Sequence, residues 1–246
     1  MEPIAGRYLS VGKSWQRALK RTIDIAVSGS LLLLFSPLFV ALALAVCGSS
    51  PGGPIFRSVR VGRRGQRFRI LKFRTMRSDV RANESGVTAS GDPRITRVGA
   101  FLRKSKLDEL PQLLNVLVGQ MSLVGPRPED ERFVSRYTLT QRMLLTVRPG
   151  ITGPATVRFR SEEELLSQGV DPLRVYLEQV LPAKCAIDMS YLLSWSLRAD
   201  ARVVIATAVA IVRPPVLPTL ATLIDQSDTP GWSTETESTP SRMHVA

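Results

Sequence analysis

Histidine is almost missing from this 246-residue chain: the single copy, His244, lies near the C-terminal end in a stretch rich in Ser, Thr, Pro and Glu. The composition of that stretch predicts disorder from Asp225 onward, so His244 is not expected to be fixed in a site, and a Ser-His-Asp or Cys-His mechanism is not expected. Cysteine is nearly as scarce. Cys47 sits in an apolar run and Cys185 far downstream; neither a disulfide framework nor a cysteine zinc site is supported, and a reduced, cytosol-facing body fits. A nucleophile or proton shuttle must then come from carboxylates, lysines or hydroxyls, unless a partner supplies it. Negative charge is also in deficit. Against 33 Lys and Arg there are 21 Asp and Glu, a formal charge of +12. That excess implies an anionic partner: nucleic acid, an acidic membrane surface or a phosphorylated small substrate. Charge alone does not choose among them.

What the chain does have is one long apolar run, from Ile23 to Val46, interrupted only by Asp24 and a few serines. It is long enough to cross a hydrocarbon core of about 30 Å, and it starts too late and continues too long for a cleavable signal. Shape alone favours a straight transmembrane helix. Two features oppose that. Ser36-Pro37 falls inside the run, where proline removes a backbone hydrogen bond and crowds the preceding turn, so a kink is expected. Basic residues also flank both ends: Lys13, Arg17, Lys20 and Arg21 before it, and Arg57, Arg60, Arg63, Arg64, Arg67 and Arg69 after it. Both flanks ask for the cytosolic side, which a re-entrant helical hairpin satisfies.

Beyond the breaker cluster Ser49 to Pro54, the alternation of Val59, Val61, Phe68 and Ile70 with polar neighbours predicts a β-hairpin over Ile55 to Phe73 around Gly62-Arg63-Arg64-Gly65, with one arginine-rich face. Arg77 to Asp92 reads as polar and turn-like. Helical periodicity runs through Phe101 to Val118, with Pro111 near a helix start. Gly125-Pro126-Arg127-Pro128 is a rigid loop, and another helix is expected over Arg132 to Thr146. Short helices are expected at Glu162 to Gln168 and Pro172 to Leu181. Tyr191 to Val212 reads equally well as an interfacial amphipathic helix or a core-facing one. There is no internal repeat. The division expected is an N-terminal segment 1–18, a re-entrant membrane helix 19–48, a single α+β, helix-dominated body 49–213, and a tail 214–246.

The densest chemistry lies in Arg103, Lys104, Lys106, Asp108 and Glu109, followed by the Gly125 to Pro128 loop. From that window alone a solvated helix start is the simpler explanation. A phosphate-transfer site nevertheless needs guanidinium groups to hold phosphoryl oxygens and carboxylates to bind a hard cation or attack phosphorus.

Several strings also resemble those of the bacterial sugar transferase family, the monotopic polyprenyl-phosphate phosphoglycosyl transferases. They are Lys20-Arg21-Thr22-Ile23-Asp24, Arg60-Val61-Gly62, Lys72-Phe73-Arg74-Thr75-Met76, Leu107 to Val116 with the sequence LDELPQLLNV, and Met121 to Pro128 with MSLVGPRP. Arg148 to Gly153 and Asp188-Met189-Ser190-Tyr191 extend the likeness, in order, over about residues 18 to 212. Lys106 and Thr156 depart from it, standing where a small hydroxyl residue and a glutamine are common.

The resemblance implies a ping-pong transfer of a sugar phosphate from a UDP-sugar to a polyprenyl phosphate, with Asp108 as nucleophile and Glu109 handling protons or positioning it. It implies Mg²⁺ with Asp108 as the protein ligand. It further implies that Arg103, together with Arg127 and Pro126 of the Gly125 to Pro128 loop, binds substrate phosphates and nucleotide, and that Lys72 and Arg74 contact phosphate or anionic lipid headgroups. Ser36-Pro37 matches the family's helix-breaking pair. The expected setting is the bacterial inner membrane, cytosolic side, against a bilayer with anionic headgroups. Self-association is neither required nor opposed. Two other readings are compatible with the composition: an inactive family member that scaffolds glycan assembly, and a membrane-tethered basic nucleic-acid-binding protein. Neither is preferred, and no nucleic-acid partner is expected.

Overall fold

A computed structural model describes residues 14–77, 92–166 and 171–212. Most of the Arg77 to Asp92 stretch, the last part of the Glu162 to Gln168 helix, the first residues and the tail with Asp225 and His244 lie outside the described residues.

The apolar run forms two helices. Helix α1 (Ser14–Leu34) and helix α2 (Ser36–Ser49) meet at Phe35 with a bend of 65°. The cause is local: Pro37 enters the first turn of α2, and the Ser36 hydroxyl donates back to the Leu33 carbonyl at 2.9 Å. No single described helix is long and apolar enough to cross a membrane, but this bent pair passes that test jointly. The break at Ser36-Pro37 is therefore present.

The two basic residues nearest the run do not serve as free flanking charge. Lys20 pairs with Asp200 at 2.6 Å, and the Arg21 guanidinium donates to the carbonyls of Val116 and Leu117 at 2.7 and 2.9 Å. Asp24, the one acid in the run, is buried; it accepts from the Ser122 hydroxyl at 2.8 Å and the Leu123 amide at 3.1 Å. These contacts fasten α1 to the body.

The β-hairpin forms as expected, β1 (Ile55–Val61) against β2 (Arg67–Phe73), antiparallel with Ile55 opposite Phe73 and Val61 opposite Arg67. Opposed residues share a face, so Arg57, Arg67 and Arg69 project together while Phe68 and Ile70 are buried on the other side. The outer edge of β2 is closed by a side chain rather than by a third strand. Asn115 donates to the Arg69 carbonyl and accepts from the Leu71 amide, at 2.8 and 3.0 Å.

Helix α3 (Arg97–Ser105) is capped by Thr96 and ends at Lys106, which adopts left-handed backbone with φ 58°. A 3₁₀ turn over Leu107–Glu109 follows, and then helix α4 (Gln112–Leu117) with Pro111 at its cap position. The periodic stretch from Phe101 to Val118 is thus two helices and a turn, because the chain reverses at Lys106. Strand β3 (Ser122–Val124) pairs in parallel with β4 (Gly150–Thr152).

The helix expected over Arg132 to Thr146 is not there. A single turn, α5 (Glu131–Val134), is followed by a separate 3₁₀ segment over Gln141–Thr146. Thr138 and Gln141 explain the break: the Thr138 hydroxyl accepts from the Gln141 amide at 3.2 Å, and the Gln141 side chain accepts from the Thr138 amide at 2.9 Å. This reciprocal bonding restarts the helix instead of continuing it.

Short helices α6 (Pro154–Arg158) and α7 (Glu162–Leu166) come next. Helix α8 (Pro172–Val175) runs through a π turn over Tyr176–Val180 into α9 (Leu181–Leu193), longer than expected. Pro182 lacks the amide that would bond the Glu178 carbonyl, and the helix widens immediately before it. After a break at Ser194 to Ser196, helix α10 (Leu197–Val212) completes the described chain; Val203 is buried while Ile205, Ile211 and Val212 are exposed. The architecture is helix-dominated α+β. Its largest apolar cluster joins Phe133, Phe159, Leu166, Tyr176 and Val180, and a second one packs Leu42 and Val46 of α2 against Phe73 and Leu102.

Candidate active site

Three local devices bring the predicted residues together. Asn115 holds the backbone of β2 against α4, which brings Lys72 to the turn carrying Asp108 and Glu109. Gly99 allows α3 to touch the chain after β2, since a Cβ there would meet the Thr75 carbonyl oxygen at 2.0 Å. Arg103, one turn further along α3, then reaches the Thr75 hydroxyl at 3.3 Å. The third device locks the loop bearing Arg127. Gly150 donates to the Pro126 carbonyl at 2.8 Å and Gly125 to the Thr152 carbonyl at 2.9 Å, and a Cβ on Gly150 or Gly153 would lie 2.2 Å from backbone atoms of Gly125.

Asp108 is 7% exposed, and its Oδ1 is buried without a hydrogen-bond partner. Burial pushes its carboxyl above the ordinary aspartate range; Lys72 pulls it down, and Glu109 beside it adds to the rise. Glu109 behaves oppositely. Burial would raise it, but Arg127 and Lys72 outweigh that and hold it well below the usual carboxylate range. The Lys72 ammonium donates to Glu109 Oε1 at 2.7 Å and the Arg127 guanidinium to the same oxygen at 2.6 Å. The two acids are thus differentiated: one ionised and saturated, the other with an open oxygen.

Arg127 sits where the sequence strings place it, but its partner is Glu109 rather than the nearby Glu129 or Asp130. Glu129 accepts from the buried Lys184 at 2.9 Å, and Asp130 pairs with Arg60 at 3.5 Å and Arg132 at 3.1 Å. Lys184 also contacts Glu162 at 3.1 Å. Burial alone would lower the Lys184 ammonium, yet Glu129 and Glu162 raise it well above its ordinary value. Asp188 braces the same loop from α9, accepting from the backbone amides of Arg127 and Ala155. Burial pushes its carboxyl up to about 7.

Arg103 donates to Glu163 of α7. Arg74 does not join this cluster. It is buried, and its guanidinium donates to the carbonyls of Ser50 and Pro51, holding the chain as it leaves α2. Of the residues singled out in the sequence, Lys72, Arg103, Asp108, Glu109 and Arg127 converge, and Pro126 serves through its backbone. Asn115, Glu163, Lys184 and Asp188 carry supporting contacts that residue type alone does not announce; Asn115 and Asp188 lie inside strings that carry the resemblance, Glu163 in an expected short helix, and Lys184 between expected elements.

The residues present also bear on Mg²⁺. Among the described residues no group of three or more His, Cys, Asp or Glu side chains converges on one point. Mg²⁺ keeps several waters and takes one or two carboxylates alongside substrate phosphates. Asp108, with Oδ1 unclaimed, fits that demand; Glu109, whose oxygens face Arg127 and Lys72, does not.

The model of the family described as "Bacterial sugar transferase" matches residues 15–214. A UDP-glucose:undecaprenyl-phosphate glucose-1-phosphate transferase of Escherichia coli K12 is 38% identical over 211 residues, covering 83% of this chain and 42% of that protein. The protein of the same name from Caulobacter vibrioides is 38% identical over 197 residues, 78% of this chain and 69% of its own. The exopolysaccharide production protein PSS of Rhizobium leguminosarum is 38% identical over 204 residues, 78% of this chain and 94% of its own. The chain therefore spans less than half of the E. coli relative and nearly all of the Rhizobium one. With a match running from α1 through α10 and including the Lys72, Asp108, Glu109 and Arg127 cluster, this chain belongs to the bacterial sugar transferase family.

Proposed function

We propose that the protein transfers a sugar 1-phosphate from a UDP-sugar to a polyprenyl phosphate, at the cytosolic face of the bacterial inner membrane, as the first step in assembling an exopolysaccharide or related glycan. The observation that carries this reading is the unequal pair: a carboxylate with an unclaimed oxygen at Asp108, beside Glu109 fixed by Lys72 and Arg127.

In the first half-reaction an oxygen of ionised Asp108 attacks the sugar-linked phosphorus. A P–O bond forms to the carboxylate, the bond to the bridging oxygen breaks, and UMP leaves with the electron pair. In the second, an oxygen of the lipid phosphate attacks the same phosphorus and the Asp108 carboxylate departs unchanged. Both nucleophiles, the Asp108 carboxylate and the lipid phosphate, are already anionic, so neither displacement needs a general base to activate a hydroxyl, which suits a chain with one histidine. Lys72, Lys106 and Arg103 favour the ionised form of Asp108 against the cost of burial. Arg103 and Arg127 supply guanidinium groups for phosphoryl oxygens. Mg²⁺, when bound at Asp108, offsets the repulsion between carboxylate and diphosphate.

The bent pair α1 and α2, with exposed Leu33, Leu34, Val40 and Leu44, is read as the re-entrant anchor that holds this site beside the headgroups of an anionic leaflet. UMP release from UDP-sugars, measured in nanodiscs with polyprenyl phosphate and Mg²⁺, tests the reaction. Asp108→Asn is expected to abolish it; turnover at the wild-type rate in that variant removes the reading.

A further inference from the structure

Gln112 is completely buried, and neither its amide nitrogen nor its amide oxygen has a hydrogen-bond partner among the described residues. A buried polar group left without a partner is unfavourable to the folded state. The helix it belongs to is capable of better. Asn115, three residues later in α4, donates to Arg69 and Gln120 and accepts from Leu71. At Gln112 an apolar side chain would fill the same space without that cost.

A second buried orphan lies one turn earlier, at Oδ1 of Asp108. Leu110 and Pro111 between them have φ −51° and −59°, and the backbone bonds from Lys106 to Leu114 run three residues back, so Gln112 follows Asp108 by little more than one tight turn of chain. The Cα–Cβ bond of a helical residue tilts toward the N-terminus, which leans the Gln112 side chain toward the Asp108 turn. One orphan is a donor-bearing amide and the other an acceptor oxygen. Their needs are complementary.

We infer that Gln112 is a positioning residue for the nucleophile. As the nucleotide sugar enters, its amide donates to one oxygen of Asp108 and so directs the other at phosphorus. Among the described residues no protein group competes for that donor. The inference rests on Asp108 being the nucleophile, and it adds a residue that the paired acids and arginines do not include.

Gln112→Met preserves side-chain length and flexibility while removing the amide. Because it removes a bare polar group, the variant is expected to melt at or above the wild-type temperature. UMP release is expected to fall about 10–100-fold in kcat, the scale of a misplaced reacting group, with KM for the UDP-sugar within about twofold. Gln112→Asn, whose amide is drawn back by one methylene, is expected to fall between the two. A Met variant with wild-type kcat overturns the inference, as does one that melts lower and loses activity only in proportion to its folded fraction. Asp108→Asn run in parallel separates the two failures. If that variant keeps full turnover the nucleophile reading falls; if it is inactive while Gln112→Met is fully active, Gln112 alone is excluded.

Discussion

Lys72 and Arg127, 55 residues apart in sequence, donate to the same oxygen of Glu109, at 2.7 and 2.6 Å. Two cations on one carboxylate oxygen favour the ionised form of Glu109. In the proposed mechanism Glu109 fixes the geometry of both cations beside Asp108. Glu109→Gln is expected to keep the shape and lose the charge, leaving two cations with an uncompensated environment; removing one partner of a buried ionic cluster costs about 3–5 kcal/mol. Denaturant unfolding of the purified variant, alongside UMP release, measures both consequences.

Lys72 and Arg74 are separated by one residue and do different things. Arg74 holds the carbonyls of Ser50 and Pro51, whereas Lys72 faces the acids. Arg74→Met is expected to lower stability by about 2–3 kcal/mol, the scale of hydrogen bonds to a charged group, while its folded fraction retains the wild-type KM for the UDP-sugar. Lys72→Met is expected to lower kcat. Steady-state kinetics normalised to folded protein distinguishes them.

The glycine interlock gives a sharp steric prediction. A Cβ on Gly150 would lie 2.2 Å from the Gly125 amide nitrogen, whereas one on Gly53 meets nothing within 4 Å. Gly150→Ala is therefore expected to cost about 3 kcal/mol or more, at the upper end of overpacking effects. Gly53→Ala is expected to stay within about 0.5 kcal/mol of wild type. Thermal melts of the two variants make the comparison.

Asp188 supplies a pH dependence with a definite sign. Burial raises its carboxyl to about 7 in the folded protein, against about 3.9 in an unfolded chain. Between those values the folded state holds the extra proton, so this group's contribution to stability declines as pH rises from about 4 toward 7 and is level outside that window. Asp188→Asn can still accept from the Arg127 and Ala155 amides through its side-chain oxygen. The variant is expected to lack this component, up to about 1.4 kcal/mol per pH unit. Denaturation of both proteins at pH 5, 6 and 7 reads the difference in slope.

The elbow at Phe35 makes a topological prediction. Cys47 is exposed near the end of α2 and Cys185 is buried, so native thiol labelling reports mainly on Cys47. With the bent pair re-entering the membrane, a membrane-impermeant maleimide is expected to reach Cys47 only from the cytosolic side of inverted vesicles. Pro37→Ala restores the missing amide and straightens the path, which is expected to move labelling to the opposite face.

Much of this was legible without coordinates, for reasons that are local. Proline at position 37 breaks an apolar helix wherever it occurs, alternation over Ile55 to Phe73 makes a hairpin, and the strings around Asp108 and Arg127 carry the family. The stretch from Arg132 to Thr146 misled because its periodicity is helical while Thr138 and Gln141 bond each other's backbone, a competition that composition does not weigh. Arg74 misled differently: a cation in a recognised string has no label saying whether its partner is a phosphate or two carbonyls of the preceding loop.

The sequence by itself determined the broken apolar helix, the β-hairpin, the family and the identities of the reactive groups, since these follow from residue type and spacing along one chain. Only the tertiary structure decided which acid is saturated and which is open. That choice depends on Asn115 drawing β2 toward α4 and on Gly125, Gly150 and Gly153 locking the Arg127 loop, contacts between segments far apart in the chain. Proton affinity in a buried cluster is set by which charges lie within a few ångströms, and no spacing along the sequence fixes that distance.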